Sequence, residues 1–376
     1  HFTVFLKGLD AAADGHPAVK VDARRCTRCL RCLRACPTGA LRIRPPARGT
    51  PALMGDPIIL SHLCIDCAEC VRACAFRALR LDAQHVLPPP DPNAVLALPF
   101  PFAPARHDHA ALCARGWKEV VPPLPWRAAL RRAARQCAQA RKLPWPVIPP
   151  FCPAVVNLIR TRFHALIPHI APFLSPIEAM RQSYADRPMT AVLCCPAEAS
   201  ALREMACAQP TALCSPAALA GFARPSALSP APPQDRVGPQ AVSGIGEVLD
   251  ALDRAENGLL AQTSLLELHL CAGGCPGAPL LSLPADVASD PAPTEAAPGG
   301  VAAHRQSPLA PRAGIRLDAD MAEAVRKLGR IEETARRLPG LDCGDCGAPS
   351  CLAAAEDLTL GRIPSLDCPY RGKERT

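Results

Sequence analysis

The sequence predicts a multidomain protein of mixed class, α+β and α/β: a small pseudo-symmetric α+β domain first, an α/β core next, and a short helical domain last. Three observations predict this. Eight cysteines fall into two matching runs within the first 85 residues. Over residues 86–282 short apolar runs alternate with helical patterns, interrupted by proline. Beyond an Ala/Pro-rich stretch, residues 283–312, a helical pattern leads into four further cysteines.

The first domain, residues 1–85, is an internal repeat. CTRCLRCLRACPTGALRI from Cys26 matches CIDCAECVRACAFRALRL from Cys64. Each copy reads as a cysteine loop, a short helix and a short strand. Pro88–Pro92 marks the next boundary. In the core, Ala94–Pro99 reads as a strand and Trp126–Ala140 as a helix. Residues 283–312 read as a flexible linker. In residues 313–376, Met321–Leu338 reads as a helix stopped by Pro339–Gly340, and a second helix runs over Leu352–Leu360.

The chain has 376 residues, 21 of them cysteine, and only 4% aromatic residues. So few large side chains leave a thin core, and a bound metal cluster adds its binding energy to folding. The chain begins at His1 rather than Met, which reads as a fragment or a trimmed chain. No secretory signal opens it, and no apolar run reaches the roughly 18 residues of a membrane span. The expectation is a soluble cytoplasmic protein without membrane insertion. In a reducing compartment so many cysteines, odd in number, point to metal or redox chemistry rather than disulfides. The net charge of +8 is spread along the chain. No helix-turn-helix, finger or RNA-binding motif accompanies it, so no nucleic-acid partner is expected.

The spacing C-x2-C-x2-C-x3-C occurs twice, at Cys26, Cys29, Cys32, Cys36 and at Cys64, Cys67, Cys70, Cys74. Two-residue gaps let three thiolates reach three irons of one cubane from a single loop, and the fourth cysteine then ligates the other cluster. Zinc also uses C-x2-C, but three cysteines at successive two-residue gaps, repeated, fit tetrahedral zinc poorly. The domain resembles the bacterial two-cluster ferredoxins. That resemblance implies two [4Fe–4S] clusters, one on Cys26, Cys29, Cys32 and Cys74, the other on Cys64, Cys67, Cys70 and Cys36. Pro37 follows the first fourth cysteine as the pattern expects, and Ala75 replaces the second proline. Arg24, Arg25, Arg28, Arg31 and Arg34 flank the first run. They are expected either to dock an acidic redox partner or to offset cluster charge.

The last cysteines, Cys343, Cys346, Cys351 and Cys368, are spaced C-x2-C-x4-C-x16-C, with Gly344 and Gly347 supplying tight turns. A zinc ribbon usually closes with a second C-x2-C, which is missing here. The segment resembles the small [4Fe–4S] domain of the Rnf complex B subunit and the corrinoid iron–sulfur protein, which implies a third [4Fe–4S] cluster on these four residues.

In the middle, Cys113, Cys137, Cys207 and Cys214 read as small buried hydrophobes. Three other segments differ: PPFCPAVVNLI at Cys152, VLCCPAE at Cys195, and LELHLCAGGCPGAP at Cys271 and Cys275. Each ends an apolar run in a turn from which a thiolate can project. In order, they resemble the cysteine signatures of the [FeFe]-hydrogenase large subunit. The resemblance implies a fourth [4Fe–4S] cluster on Cys152, Cys195, Cys271 and Cys275, with or without a diiron unit bridged by Cys275. Two departures stand out. Phe151 takes the place of a proton-shuttling cysteine, and Glu198 that of a lysine facing the anionic diiron ligands. Proton transfer needs a placed group of suitable pKa, and nothing in the sequence places His164, His169 or Glu198 for it. No catalytic residue is therefore assigned. The expected function is electron transfer or redox sensing without efficient hydrogen turnover, served by a redox partner protein. A working ferredoxin-linked [FeFe] hydrogenase and a plain polyferredoxin are the alternatives.

Overall fold

The computed structural model describes residues 18–43, 57–81, 86–99, 106–205, 207–219, 239–281, 302–312, 317–318 and 320–370. The chain divides into two compact units, one of residues 1–64, 68–82 and 312–376, the other of residues 65–67 and 83–311.

The first unit opens with β1 (Val19–Val21), α1 (Arg31–Ala35), β2 (Leu41–Ile43), β3 (Pro57–Ile59), α2 (Glu69–Arg72) and β4 (Leu79–Leu81). The repeat is realised in three dimensions: α1 and α2 follow the two cysteine loops, and β2 and β4 follow the helices. β1 pairs antiparallel with β4, Val19 opposite Leu81, and β2 with β3, Leu41 opposite Ile59. Two- and three-residue strands cannot stand alone. Here Val19, Leu33, Leu41, Ile43, Ile59 and Leu79 close over the loops, with Cys32, Cys36, Cys64 and Cys74 packed against them.

The same unit takes in the C-terminal segment. α9 (Met321–Arg336) packs on α10 (Cys351–Thr359). The Asp320 side chain caps α9 by accepting from Ala322 N at 2.9 Å, and Ser350 caps α10 through Ala353 N at 3.1 Å. The turn before α10 joins β2, since Ile43 N donates to Gly347 O at 2.8 Å. Beneath it Arg42 is buried against Asp357, which also accepts from Arg362 at 3.0 Å.

The second unit contains a four-stranded parallel sheet in the order β6 (Glu119–Val121), β5 (Val95–Ala97), β7 (Met189–Val192), β8 (Thr211–Cys214). β5 is central, and both its faces are covered, as a parallel sheet requires. Leu96 and Leu98 pack with Leu112, Trp117 and Val192 on one face; Val95 and Ala97 pack with Trp126, Ile177 and Met180 on the other. The flanking helices are α3 (Arg106–Ala114), α4 (Leu124–Gln139), α5 (Pro153–Arg162), α6 (Pro176–Ser183) and α7 (Pro196–Glu204). A separate parallel pair, β9 (Pro239–Ser243) and β10 (Leu265–His269), is connected by α8 (Ile245–Glu256). The expected strand and helix of this region are thus present, as β5 and α4.

Of the expected linker, residues 283–301 lie outside the described residues. Residues 303–305 are tied to the second unit: Leu174 N donates to Ala303 O at 2.8 Å and Arg305 N to Pro172 O at 3.0 Å. Among the described residues, no helix is long and apolar enough to cross a membrane.

Candidate iron–sulfur sites

The two N-terminal loops share an unusual backbone. Arg28, Leu30, Asp66 and Ala68 all adopt positive φ, between 56° and 61°. Each non-glycine residue there costs about 1–2 kcal/mol. The four positions flank Cys29 and Cys67 identically, and successive residues in such turns can form an anion-binding nest. Leu30 and Ala68 are also the first flanking residues of α1 and α2, so each loop runs directly into its helix.

The thiols group across the repeat. Burial, and next the charges of Cys26 and Cys74, push the Cys32 thiol up to about 11, with Cys29 adding to them. Burial and the charges of Cys64, Cys36 and Cys32 push Cys70 up as well. Cys74 therefore sits with Cys26, Cys29 and Cys32, and Cys36 with Cys64 and Cys70. Four thiolates in so small a volume repel one another unless a cationic core lies between them. The environments of the fourth cysteines are matched: Ala40 N donates to Cys36 Sγ and Ala78 N to Cys74 Sγ, each at 3.2 Å. Cys67 packs in the second unit, against Ile65 and the apolar cluster that also receives Cys152 and Cys195.

In the C-terminal segment Cys343, Cys346, Cys351 and Cys368 line one small cavity with Gly344. Gly344 and Gly347 have φ of +82° and +87°. A Cβ at 344 would lie 2.7 Å from buried Leu33, and one at 347 would lie 2.6 Å from the carbonyl oxygen of Ile43. The glycines thus serve both the loop and its docking. Asp342 accepts from Cys351 N at 2.7 Å, and Tyr370 donates to Asp345 at 2.8 Å, bracing the loop from both ends.

In the core, Cys152 and Cys195 each stand just before a helix that begins with proline, α5 and α7. Burial and the charges of Cys195 and Cys275 push Cys152 up to about 12. A hydrogen bond from Cys194 favours the Cys195 thiolate, but burial and the charges of Glu198 and Cys275 raise it. Cys275 is the exception. A hydrogen bond from Cys194 lowers it, and His269 and Arg127 outweigh burial in the same direction. The structure therefore gathers Cys152, Cys195 and Cys275. Cys271 lies in the turn after β10, where its carbonyl accepts from Gly274 N at 2.9 Å. The thiols fit an iron–sulfur cluster in that they converge from three loops.

Phe151, Arg127, Glu198, Leu98, Pro176 and Ile177 line a small cleft in this unit. Burial and the Cys275 charge hold the Glu198 carboxyl up at about 7.

Sequence reasoning missed three participants. Cys194 is fully buried and donates to Glu198 Oε2 at 3.4 Å. Glu267 accepts from Arg131 at 2.8 and 3.1 Å and meets His269 Nε2 at 3.0 Å. Burial alone would lower His269, but Cys275 and Glu267 carry it up to about 9. The signal was present in LELH, where two ionisable residues alternate in an otherwise apolar strand just before Cys271. Of the cysteines expected to be packing residues, Cys214 is buried, while Cys113, Cys137 and Cys207 are half-buried. His169 is engaged with the Pro146 carbonyl at 3.1 Å.

Comparisons with known proteins agree with the two outer sites. The family described as "4Fe-4S dicluster domain" matches residues 19–79, and the family described as "Putative Fe-S cluster" matches residues 338–370. No curated protein matches the chain. Among solved structures, similarity is found to an [FeFe]-hydrogenase studied for oxygen inactivation at its H cluster 2Fe subcluster, with 12% identity, TM-score 0.40, and coverage of 53% of this chain and 83% of that one. HydA(deltaEFG), from stepwise H-cluster assembly, has 12% identity, TM-score 0.37, and coverage of 52% and 82%. A variant of HydA1 from Chlamydomonas reinhardtii has 11% identity, TM-score 0.38, and coverage of 51% and 80%. Likeness at this level assigns nothing to the middle region. What the family matches and the gathered thiols establish together is an iron–sulfur protein, with a 4Fe-4S dicluster domain at residues 19–79 and an Fe-S cluster segment at residues 338–370.

Proposed function

We propose that this protein passes electrons one at a time along a chain of [4Fe–4S] clusters and does not turn over hydrogen efficiently. Two clusters sit on the N-terminal cysteines, one on Cys343, Cys346, Cys351 and Cys368, and one in the core on Cys152, Cys195, Cys271 and Cys275. The observation that carries this reading is the seat of the C-terminal loop on α1. Arg34 on that helix donates to Cys343 O at 2.7 Å, and Leu33 fills the hollow left by Gly344. The helix that presents Cys32 thus also receives the third site, with no intervening layer of solvent.

The clusters supply one-electron chemistry when bound. The chain's own groups set the energies: amide donors to Cys36 and Cys74 favour added negative charge on each site. Cys29 is exposed, and Arg24, Arg25, Arg31 and Arg34 around it are exposed too. A thiolate ligand at the surface inside a basic rim suits an acidic redox partner, whose encounter positive charge would steer. The lack of efficient hydrogen turnover rests on Phe151, which carries no proton, and on Glu198, a carboxyl where the hydrogenase resemblance calls for a lysine.

The test is infrared spectroscopy of protein purified without oxygen after co-expression with hydrogenase maturation enzymes, together with iron and sulfide analysis. The proposal expects iron for four clusters and no bands of carbon monoxide or cyanide ligands. Such bands would show a diiron unit and overturn it.

A further inference from the structure

Arg127 is an anomaly in the core. It lies on α4 and is only 5% exposed. Burying a guanidinium costs several kcal/mol unless anions accompany it. Its anionic neighbours are Cys275 and Glu198: Nη1 points to Cys275 Sγ at 3.9 Å, and its charge acts on Glu198. Its guanidinium also stacks over the Phe151 ring, 5.0 Å from the centroid. Arg131, one helical turn along, stacks on the same ring at 5.2 Å and is locked by two hydrogen bonds to Glu267. Phe151 is itself buried, at 3% exposure. The ring that closes the cleft is therefore also the shelf that holds a cation against one thiolate.

We propose that Arg127, positioned by Phe151 and the Arg131–Glu267 pair, raises the reduction potential of the core cluster through Cys275. The inference rests on the reading that the core holds a cluster. The physics is direct. Each added electron increases the negative charge on the cluster and its thiolates. A guanidinium within hydrogen-bonding reach of one ligand stabilises that charge, and low-dielectric surroundings enlarge the effect. An arginine cannot lose its charge at any working pH, so the bias is permanent.

The experiment is a redox titration followed by electron paramagnetic resonance, on the full chain with its clusters assembled, in wild type, Arg127→Lys, Arg127→Met and Phe151→Leu. Iron and sulfide are measured on each sample. Arg127→Met is expected to shift one midpoint downward and leave the other clusters where they were, at unchanged iron content. Arg127→Lys should keep most of the wild-type value. Phe151→Leu, which leaves the charge but removes its shelf, should shift the same midpoint in the same direction by less. Four clusters with all midpoints unmoved in Arg127→Met would sink the inference. If Arg127→Met loses a cluster, Phe151→Leu decides: an unmoved midpoint there, with the cluster retained, overturns it. Wild-type iron for only three clusters would instead overturn the reading beneath it.

Discussion

Arg34 on α1 and Cys343 are 309 residues apart in sequence, yet the arginine donates through Nη2 to the cysteine carbonyl at 2.7 Å. The bond joins the helix that presents Cys32 to the loop that presents Cys343 and Cys346. A side chain counted in the sequence as part of a basic rim thus has a second task. It fixes the C-terminal loop by its backbone, leaving the thiols free for iron.

Gly347→Ala is expected to detach that loop. At φ +87° an alanine costs about 1–2 kcal/mol, and its Cβ would meet the Ile43 carbonyl oxygen at 2.6 Å. Backbone on both sides leaves nothing to swing aside. The variant should lose the third cluster while keeping the N-terminal pair, read as a drop of one cluster's iron. Retention of all the iron would show that the loop does not need its seat on β2.

Cys351→Ala tests the ligand set itself. The thiol lines the cavity with Cys343, Cys346 and Cys368. Its removal should eliminate one cluster and leave the N-terminal spectra intact. Cys137→Ala, in a packed apolar setting against α4's neighbours, should leave iron content unchanged and serves as the control. Unaltered cluster spectra in Cys351→Ala would disprove the assignment.

The outer sites were legible because their information is local. Two-residue gaps between cysteines are a statement about one loop, and the repeat states it twice. The docking of residues 338–370 on α1 was not legible. Arg42 and Asp357 are 315 residues apart, and neither has a neighbour in sequence that announces the other. In the core the reading found Cys152, Cys195 and Cys275, because each ends an apolar run before proline or glycine. It missed Cys194, since a buried cysteine in VLCC looks like packing, and it took Phe151 only as a missing proton carrier. That the ring is a shelf for Arg127 and Arg131 depends on α4, a separate element whose arginines look like a solvated face.

Asp357→Asn should weaken the first unit severely. Asp357 is 2% exposed and Arg42 6% exposed, and Arg362 shares the same carboxylate. Removing the anion leaves two guanidiniums facing each other in a buried site. Breaking such a pair from one side costs about 3–5 kcal/mol. The expected result is a lower unfolding temperature and early proteolysis within residues 338–370, with the N-terminal spectra persisting longest. Unchanged melting would mean that water already reaches this pair.

The double variant Phe151→Cys, Glu198→Lys restores both residues that the hydrogenase resemblance calls for, and it is expected to fail as a diiron site. The reason is packing and charge. Removing Phe151 strips the shelf from Arg127 and Arg131. Loss of a buried ring costs about 3 kcal/mol or more, and a lysine placed near Arg127 adds repulsion. The variant should melt earlier than wild type and show no carbon monoxide or cyanide bands, even with the maturation enzymes present. If the bands appeared, identity at two positions would have outweighed the lost packing and the added repulsion.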